Sequence, residues 1–214
     1  MPTIDLAFGL AGATIPLDYG YALFSALCRV VPGLHGDRRV GVHPVRGVRL
    51  APRRLTLVPQ SRLRLRLPSE EVATYLALAG SFLDLDGDRV SVGIPRVEPL
   101  RPTPTLAARL VTIGHFVDPG PFEESVRRQL ESLGVSAEPS FVPEADPSRE
   151  GRPTRRVVRI KGRRIVGYAL RIEGLTAGES LLVQEQGLGS RRRMGCGVFV
   201  ADRRTKADDL DEII

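Results

Sequence analysis

Gly187-Leu-Gly-Ser-Arg-Arg-Arg-Met-Gly-Cys-Gly-Val-Phe199 sets four glycines around three consecutive arginines near the C-terminal end of the chain. Glycine permits positive φ and a close approach of the backbone to a ligand, and guanidinium groups supply donors matched to phosphate oxygens. Such a loop suits an anion. It follows a helix-compatible segment and closes into Val198-Phe199-Val200, so the local order is helix, loop, strand. Rossmann fingerprints and P-loops run strand, loop, helix, and neither GxGxxG nor GxxxxGK[ST] occurs here. The stretch argues against nucleotide binding of those two kinds.

Upstream of the loop, Leu106 to Val117 reads as a strand and Phe122 to Leu133 as a helix ended by Gly134. Arg155 to Lys161 and Arg164 to Glu173 form a hairpin turning at Gly162-Arg163, Ala177 to Gln184 is at most a short helix, and Cys196 to Asp202 is the last strand. Between Val135 and Thr154 the prolines and charges read as a loop, and the acidic Asp208 to Ile214 as a frayed end. Pro95 to Pro104 holds four prolines in ten residues beside Arg96, Glu98 and Arg101, which favours extended backbone and marks an interdomain linker. Before it, Thr3 to Phe8 alternates like a strand and Tyr19 to Val31 carries Tyr21, Phe24, Leu27, Cys28 and Val31 at helical spacing. Arg38 to Val45 and Ser61 to Leu67 read as strands, Ser69 caps a helix running to about Gly80, and Arg89 to Ile94 closes the series. Strand, helix, strand, strand, helix, strand is the ferredoxin-like order, and it recurs after the linker. The expected fold is α+β, with two tandem ferredoxin-like domains at 1–96 and 105–214 and a glycine-rich loop in the second.

The arginines acquire geometry on these elements. Arg62, Arg64 and Arg66 alternate with Leu63, Leu65 and Leu67, so one strand face buries leucine and the other presents guanidinium groups about 7 Å apart. Arg152, Arg155, Arg156, Arg159, Lys161, Arg163 and Arg164 gather charge on the later hairpin. Each cluster reads either as a solvated polar face or as a nucleic-acid surface. Few aromatics lie among them, which favours gripping the phosphates of an RNA stem over stacking on unpaired bases.

The glycine loop with its aromatic strand resembles the signature of the RAMP superfamily. Tyr21-Ala-Leu-Phe-Ser-Ala-Leu-Cys-Arg-Val-Val31, then Leu34-His35-Gly36 and the strand Val40-Gly-Val-His-Pro-Val45, is similar to the N-terminal arrangement of the CRISPR-associated endoribonucleases that cut repeat RNA. That resemblance implies that His35 is the catalytic histidine, that Tyr21 joins it, and that Gly187, Gly189, Ser190, Arg191, Arg192, Arg193, Gly195 and Gly197 bind RNA without catalysing. Members of the group often place a lysine in the site; this chain has none before Lys161, so Arg38 or Arg39 would supply the cation.

The chemistry stands beside the resemblance. Metal-free RNA cleavage needs a base for the 2′-hydroxyl, an acid for the leaving 5′-oxygen and cations for the phosphorane, and imidazole suits the first two roles. His35 lies in the loop Pro32-Gly-Leu-His-Gly-Asp-Arg-Arg39 and is the first candidate; His43, on a strand, is the second, and His115 reads as structural. The expected activity is metal-independent cleavage of a CRISPR repeat stem-loop by 2′-hydroxyl attack, leaving 2′,3′-cyclic phosphate and 5′-hydroxyl ends, with no cofactor and no metal. The partners are the repeat RNA and its crRNA product, with other CRISPR effector-complex subunits left open. A non-catalytic RNA-binding subunit is the rival, and a general RNA-binding module is the third reading.

Composition agrees with a polyanionic partner: 214 residues, 42% hydrophobic, 26% charged, net charge +6, and a pI near 10.0. Genomic base composition explains the excess of arginine over lysine, so the placement of the arginines is the better clue. Cys28 and Cys196 form neither a disulfide framework nor a four-ligand metal site. The first residues lack a basic n-region, Asp5 interrupts their apolar run, and no window is long and apolar enough to span a bilayer, so the expected location is cytoplasmic.

Overall fold

A computed structural model describes residues 1–114, 116–146, 148 and 150–202. His115 and the acidic 208–214 stretch lie outside the described residues. The described chain divides into two compact units that meet in sequence at Pro99 and Leu100.

In the first unit, β1 (Thr3–Ala11) puts Ile4, Leu6, Phe8 and Leu10 on one face, all buried, and pairs antiparallel with β6 (Arg62–Pro68) and β8 (Asp88–Pro99). Strand periodicity alone produces this, since alternate side chains leave opposite faces. Leu63, Leu65 and Leu67 of β6 join the same core, each contributing about 1.5–3 kcal/mol by full burial. α1 (Gly20–Val30) buries Leu23, Phe24 and Leu27 at helical spacing. With β3 (Gly41–Val42) at one edge and β7 (Phe82–Leu85) beyond β8, the sheet runs β3-β6-β1-β8-β7; without β7 this is the ferredoxin-like order.

Several elements differ from the sequence expectation. The strand expected over Arg38 to Val45 is only Gly41–Val42. Arg89 to Ile94 extends to Pro99, so part of the expected linker is strand; β7 pairs only with residues 88–91 of β8, which leaves the proline-bearing half on a free edge where a missing N–H is tolerated. Ser69 caps nothing. The region is a 3₁₀ turn (Ser69–Glu71), a four-residue α2 (Val72–Tyr75) and another 3₁₀ turn (Leu76–Leu78), anchored by buried Tyr75 and Leu78 three residues apart, the tighter period of 3₁₀ geometry. A small sheet of β2 (Thr14–Pro16), β4 (Val48–Ala51) and β5 (Arg54–Thr56), ordered β2-β5-β4, had no clear signal because its strands are too short to show alternation.

In the second unit, β9 (Leu106–Val111), α3 (Pro119–Ser132), β10 (Glu138–Phe141), β12 (Arg163–Glu173), α4 (Ala177–Gln186) and β13 (Val200–Ala201) repeat the order, and the sheet runs β10-β12-β9-β13. Its core joins Val111, Phe122, Val126, Tyr168, Ile172 and Phe199. β9 stops at Val111, six residues short of expectation, and β13 covers two residues only. β10 lies in the stretch expected to be loop; it is an edge strand, so Pro139 costs no central hydrogen bond and is itself buried opposite Ile172. α3 starts at Pro119, where proline's fixed φ favours the first turn. α4 is a full ten-residue helix because Thr176 and Glu179 form a capping box, a pattern visible as Thr-x-x-Glu in the sequence. Among the described residues, no helix is long and apolar enough to cross a membrane.

Candidate active site and nucleic-acid interface

Leaving α1, the chain makes one 3₁₀ turn over Pro32–His35, with Pro32 at the start and the Gly36 N–H donating to the Gly33 carbonyl (3.2 Å). Leu34 is fully buried and pins the turn, which leaves His35 exposed. The His35 ring sits 5.8 Å from Phe24, tilted by 31°. Half-buried Tyr21 lies one helical turn before Phe24, so the helix places it on the same face. The two candidate cations differ. Arg39 is bound to Asp37 (2.8 Å) and Glu71 (2.6 Å), whose hydrogen bonds and charges raise its pKa, and Glu70 stands at 3.9 Å. Arg38 is exposed and has no ion pair or hydrogen bond among the described residues.

His43 occupies a different environment. It is 4% exposed, and its Nε2 lies 3.0 Å from Asp5 Oδ1, while Arg66 donates to both Asp5 oxygens (Nε to Oδ1 2.8 Å, Nη2 to Oδ2 3.0 Å). Register explains the cluster: Asp5 faces Arg66 across β1 and β6, and Arg66 faces Gly41 two residues before His43. Arg66 is 1% exposed, so it departs from the expected solvent-facing row. A guanidinium survives burial when a carboxylate meets it in two-point geometry, and Asp5 supplies that. Half-buried Arg64 instead pairs with Glu98 (2.8 Å), and Arg62 donates to the carbonyls of Pro59 and Ser61 (2.7 Å each). Burial lowers the pKa of His43 to about 4, outweighing its bond to Asp5. Burial would raise that of Asp5, but the hydrogen bonds and charges of His43 and Arg66 hold it well below the usual carboxylate range.

These shifts carry a pH dependence. Between about 6.5 and about 4 the unfolded chain protonates His43 and the folded one does not, so stability falls as pH drops through that window. The Asp5 contribution is present above the unfolded carboxylate pKa of about 4 and is lost only below it. Thermal melts from pH 7 to pH 4.5 should show a falling midpoint, and His43→Gln should flatten the slope. An unchanged slope in His43→Gln would assign the effect elsewhere.

The hairpin turns at Lys161-Gly162, one residue earlier than expected; φ values of 50° and 77° at these positions are those of a type I′ turn. With β11 (Arg155–Ile160), β12 pairs Val157 with Val166 and Val158 with Ile165. These cross-strand apolar contacts hold a hairpin whose arginines and lysine reach outward: Arg155, Arg159, Lys161, Arg163 and Arg164 are exposed and Arg156 is half-buried. Arg159 stands directly opposite Arg164, which concentrates positive charge at that point of the hairpin.

The glycine loop is built into its unit. The N–H of Gly189 donates to Gln129 Oε1 (2.7 Å), that of Ser190 to the Thr112 carbonyl (2.8 Å) and that of Gly197 to the Leu110 carbonyl (2.7 Å). Gly189 (φ 76°) and Gly197 (φ 65°) are obligatory; a Cβ on them would stand 2.5 Å from Thr112 O and 2.1 Å from Leu188 O. Arg191 takes a left-handed conformation (φ 65°) and donates to Ser190 Oγ (2.7 Å). The Arg192 stem lies beside Gly187, whose Cβ would meet Arg192 Nε at 2.8 Å, so this side chain packs along the loop. Arg191, Arg192, Arg193 and Gly195 are all half-buried. Thr112, fully buried, is the residue that the sequence did not flag: its Oγ1 donates to the Ser190 carbonyl (3.1 Å) and its carbonyl accepts from Ser190 Oγ (3.0 Å). Nothing in a lone threonine after an apolar strand distinguishes it.

The structure thus separates the candidates into His35, whose ring lies against Phe24 on the α1 face that also bears Tyr21, the exposed Arg38 three residues further on, the Asp5–Arg66–His43 cluster inside the first sheet, and the basic hairpin and glycine loop of the second unit. Among the described residues, no three His, Cys, Asp or Glu side chains gather to hold a metal ion. Two solved structures share the fold: a CRISPR-associated protein Cas6 (TM-score 0.64, 12% identity, 94% of this chain and 100% of that one) and a Cas6-related protein from Pyrococcus furiosus (TM-score 0.65, 12% identity, 94% and 99%). In sequence, the chain is 45% identical over 204 residues to the CRISPR-associated endonuclease Cas6 of Myxococcus xanthus (strain DK1622), covering 95% of this chain and 84% of that protein. The family model described as Cas6 Crispr matches residues 4–204, and the chain therefore belongs to the Cas6 family of CRISPR-associated endoribonucleases.

Proposed function

We propose that this endoribonuclease cuts CRISPR repeat RNA without a metal ion, by attack of the 2′-hydroxyl on the adjacent phosphate, giving 2′,3′-cyclic phosphate and 5′-hydroxyl ends and hence mature crRNA. The observation that carries the reading is the exposed His35 on a turn pinned by Leu34, next to the helix face that bears Tyr21. His35 moves the proton, Tyr21 orients the sugar or phosphate, and Arg38 faces the charged phosphorane. Arg39 helps to hold the segment through Asp37 and Glu71. His43, buried and bonded to Asp5, acts as a structural residue. The basic hairpin and the glycine loop bind the RNA by phosphate contact. Support for an RNA ligand comes from one more structure of the same fold, described as a RAMP protein binding different RNA substrates (TM-score 0.63, 11% identity, 92% of this chain and 98% of that one).

The test is cleavage of a cognate repeat stem-loop in excess EDTA with analysis of the new ends. Undiminished cleavage with cyclic phosphate on the 5′ fragment is expected. A requirement for Mg²⁺, or 3′-hydroxyl ends, would sink the mechanism.

A further inference from the structure

Within the first unit, a cavity of about 730 Å³ opens over the strands β1 and β8 on the sheet face opposite the leucine core. Where β1 and β8 meet in its lining, Gly9 and Gly93 leave the backbone bare, beside Ala7, which is itself 1% exposed. The ladder is interrupted there, because two residues of β8, Gly93 and Ile94, stand against Gly9 alone, and such a bulge frees backbone polar groups from pairing. Arg62 lies across Gly9 on β6 and Arg96 across Ala7 on β8, so the two guanidiniums flank the floor from either side. Both line the cavity, and no carboxylate does. Ile94, 87% exposed, and Pro59 add apolar walls.

We infer that this cavity is a subsite for an unpaired nucleotide flanking the RNA stem. The inference rests on the proposed RNA substrate. A planar base needs a flat surface, and a floor of glycine backbone provides one without an aromatic side chain. The bulged backbone offers donors and acceptors to the base edge, which only an unpaired base exposes. The flanking phosphates fall to Arg62 and Arg96. Arg62 is already oriented by the Pro59 and Ser61 carbonyls, bonds that use Nη1 and leave the guanidinium's other donors for a phosphate. Arg96 is 72% exposed and lies 3.6 Å from Glu98, a carboxylate that Arg64 holds at 2.8 Å. The same guanidinium plane can stack on the base. Charge decides the class of occupant: two arginines over a neutral floor select an anionic chain, and a base between phosphates is the anionic group that also uses the flat floor and the exposed isoleucine.

The test compares two RNAs, the stem-loop alone and the stem-loop with its unpaired flanks, by fluorescence anisotropy with wild-type protein, Gly9→Leu and Arg96→Ala. A Cβ at Gly9 meets nothing within 4 Å, so a side chain there starts into open space on the cavity side. Wild type should bind the flanked RNA more tightly. Gly9→Leu should remove that gain, on the order of tenfold for about 1.4 kcal/mol of lost nucleotide contact, and Arg96→Ala should remove part of it. Both variants should bind and cut the stem-loop as wild type does. Equal wild-type affinity for the two RNAs, a Gly9→Leu variant that keeps its melting temperature and its preference for flanks, or an equal loss on both RNAs would each overturn the subsite. Should Gly9→Leu fail to fold, Arg96→Ala decides by the same criteria. Failure of the proposed function is read separately, as absence of stem-loop cleavage by wild type in EDTA.

Discussion

His35→Ala is expected to cut repeat RNA about 10²- to 10⁴-fold more slowly than wild type while binding it nearly as well. The argument is chemical and positional. A side chain that transfers a proton in the transition state contributes to rate, whereas one exposed imidazole among many arginines contributes little to phosphate affinity. Leu34 holds the turn from beneath, so the substitution at His35 removes the ring and its contact with Phe24 without opening the core. Single-turnover cleavage with anisotropy controls measures both quantities. A repeat carrying a 2′-deoxy nucleotide immediately 5′ of the cut should bind wild type and stay intact, because the attacking oxygen is gone. Near-normal cleavage by His35→Ala, joined to loss in a folded His43→Gln, would transfer the proton to His43. His43 begins with two disadvantages for that role: it is 4% exposed, and its pKa is lowered to about 4.

The second large effect is on stability. Asp5→Ala should destabilise the first unit by about 3–5 kcal/mol, because it strips the Arg66 guanidinium, 1% exposed, of both oxygens that compensate its burial. His43 loses its partner in the same substitution. Replacing the pair together, Asp5→Leu with Arg66→Met, should recover part of the loss, since apolar residues of similar size substitute for a buried ion pair at little cost. Denaturant unfolding of the single and double variants gives the comparison. A single variant within 1 kcal/mol of wild type would mean that Arg66 finds water or another anion when Asp5 is absent.

Much of the architecture was legible because periodicity is a local property. Alternation in Thr3 to Phe8 and in Arg62 to Leu67, helical spacing through Tyr21 to Val31, and the repeated element order led to two ferredoxin-like domains, and both sheets have that strand order. The glycine loop was equally legible: positive φ at Gly187, Gly189, Gly195 and Gly197 follows from residue type. What failed locally failed for a physical reason. Pro139 hid an edge strand, since proline forbids central pairing but tolerates an edge, and Val72 to Tyr75 makes only four residues of α-helix because two anchors suffice to hold it.

The site divides along the same line. Sequence by itself proposed His35, the basic hairpin and the arginines of the loop as chemistry-bearing, because residue type and spacing are enough to propose an acid, a cation or a phosphate contact, and the family resemblance added Tyr21. It did not separate Arg62, Arg64 and Arg66, which are equivalent in an alternating strand. Only tertiary structure decided that Arg66 is buried against Asp5, that Arg64 meets Glu98 and that Arg62 borders an open cavity, since each outcome depends on the residue facing it from another strand. It likewise decided that Arg39 is engaged by Asp37 and Glu71, whereas Arg38 is exposed. Charge is written in the sequence; whether a charge is free to meet a ligand is set by partners up to 61 residues away, and only folding brings those together.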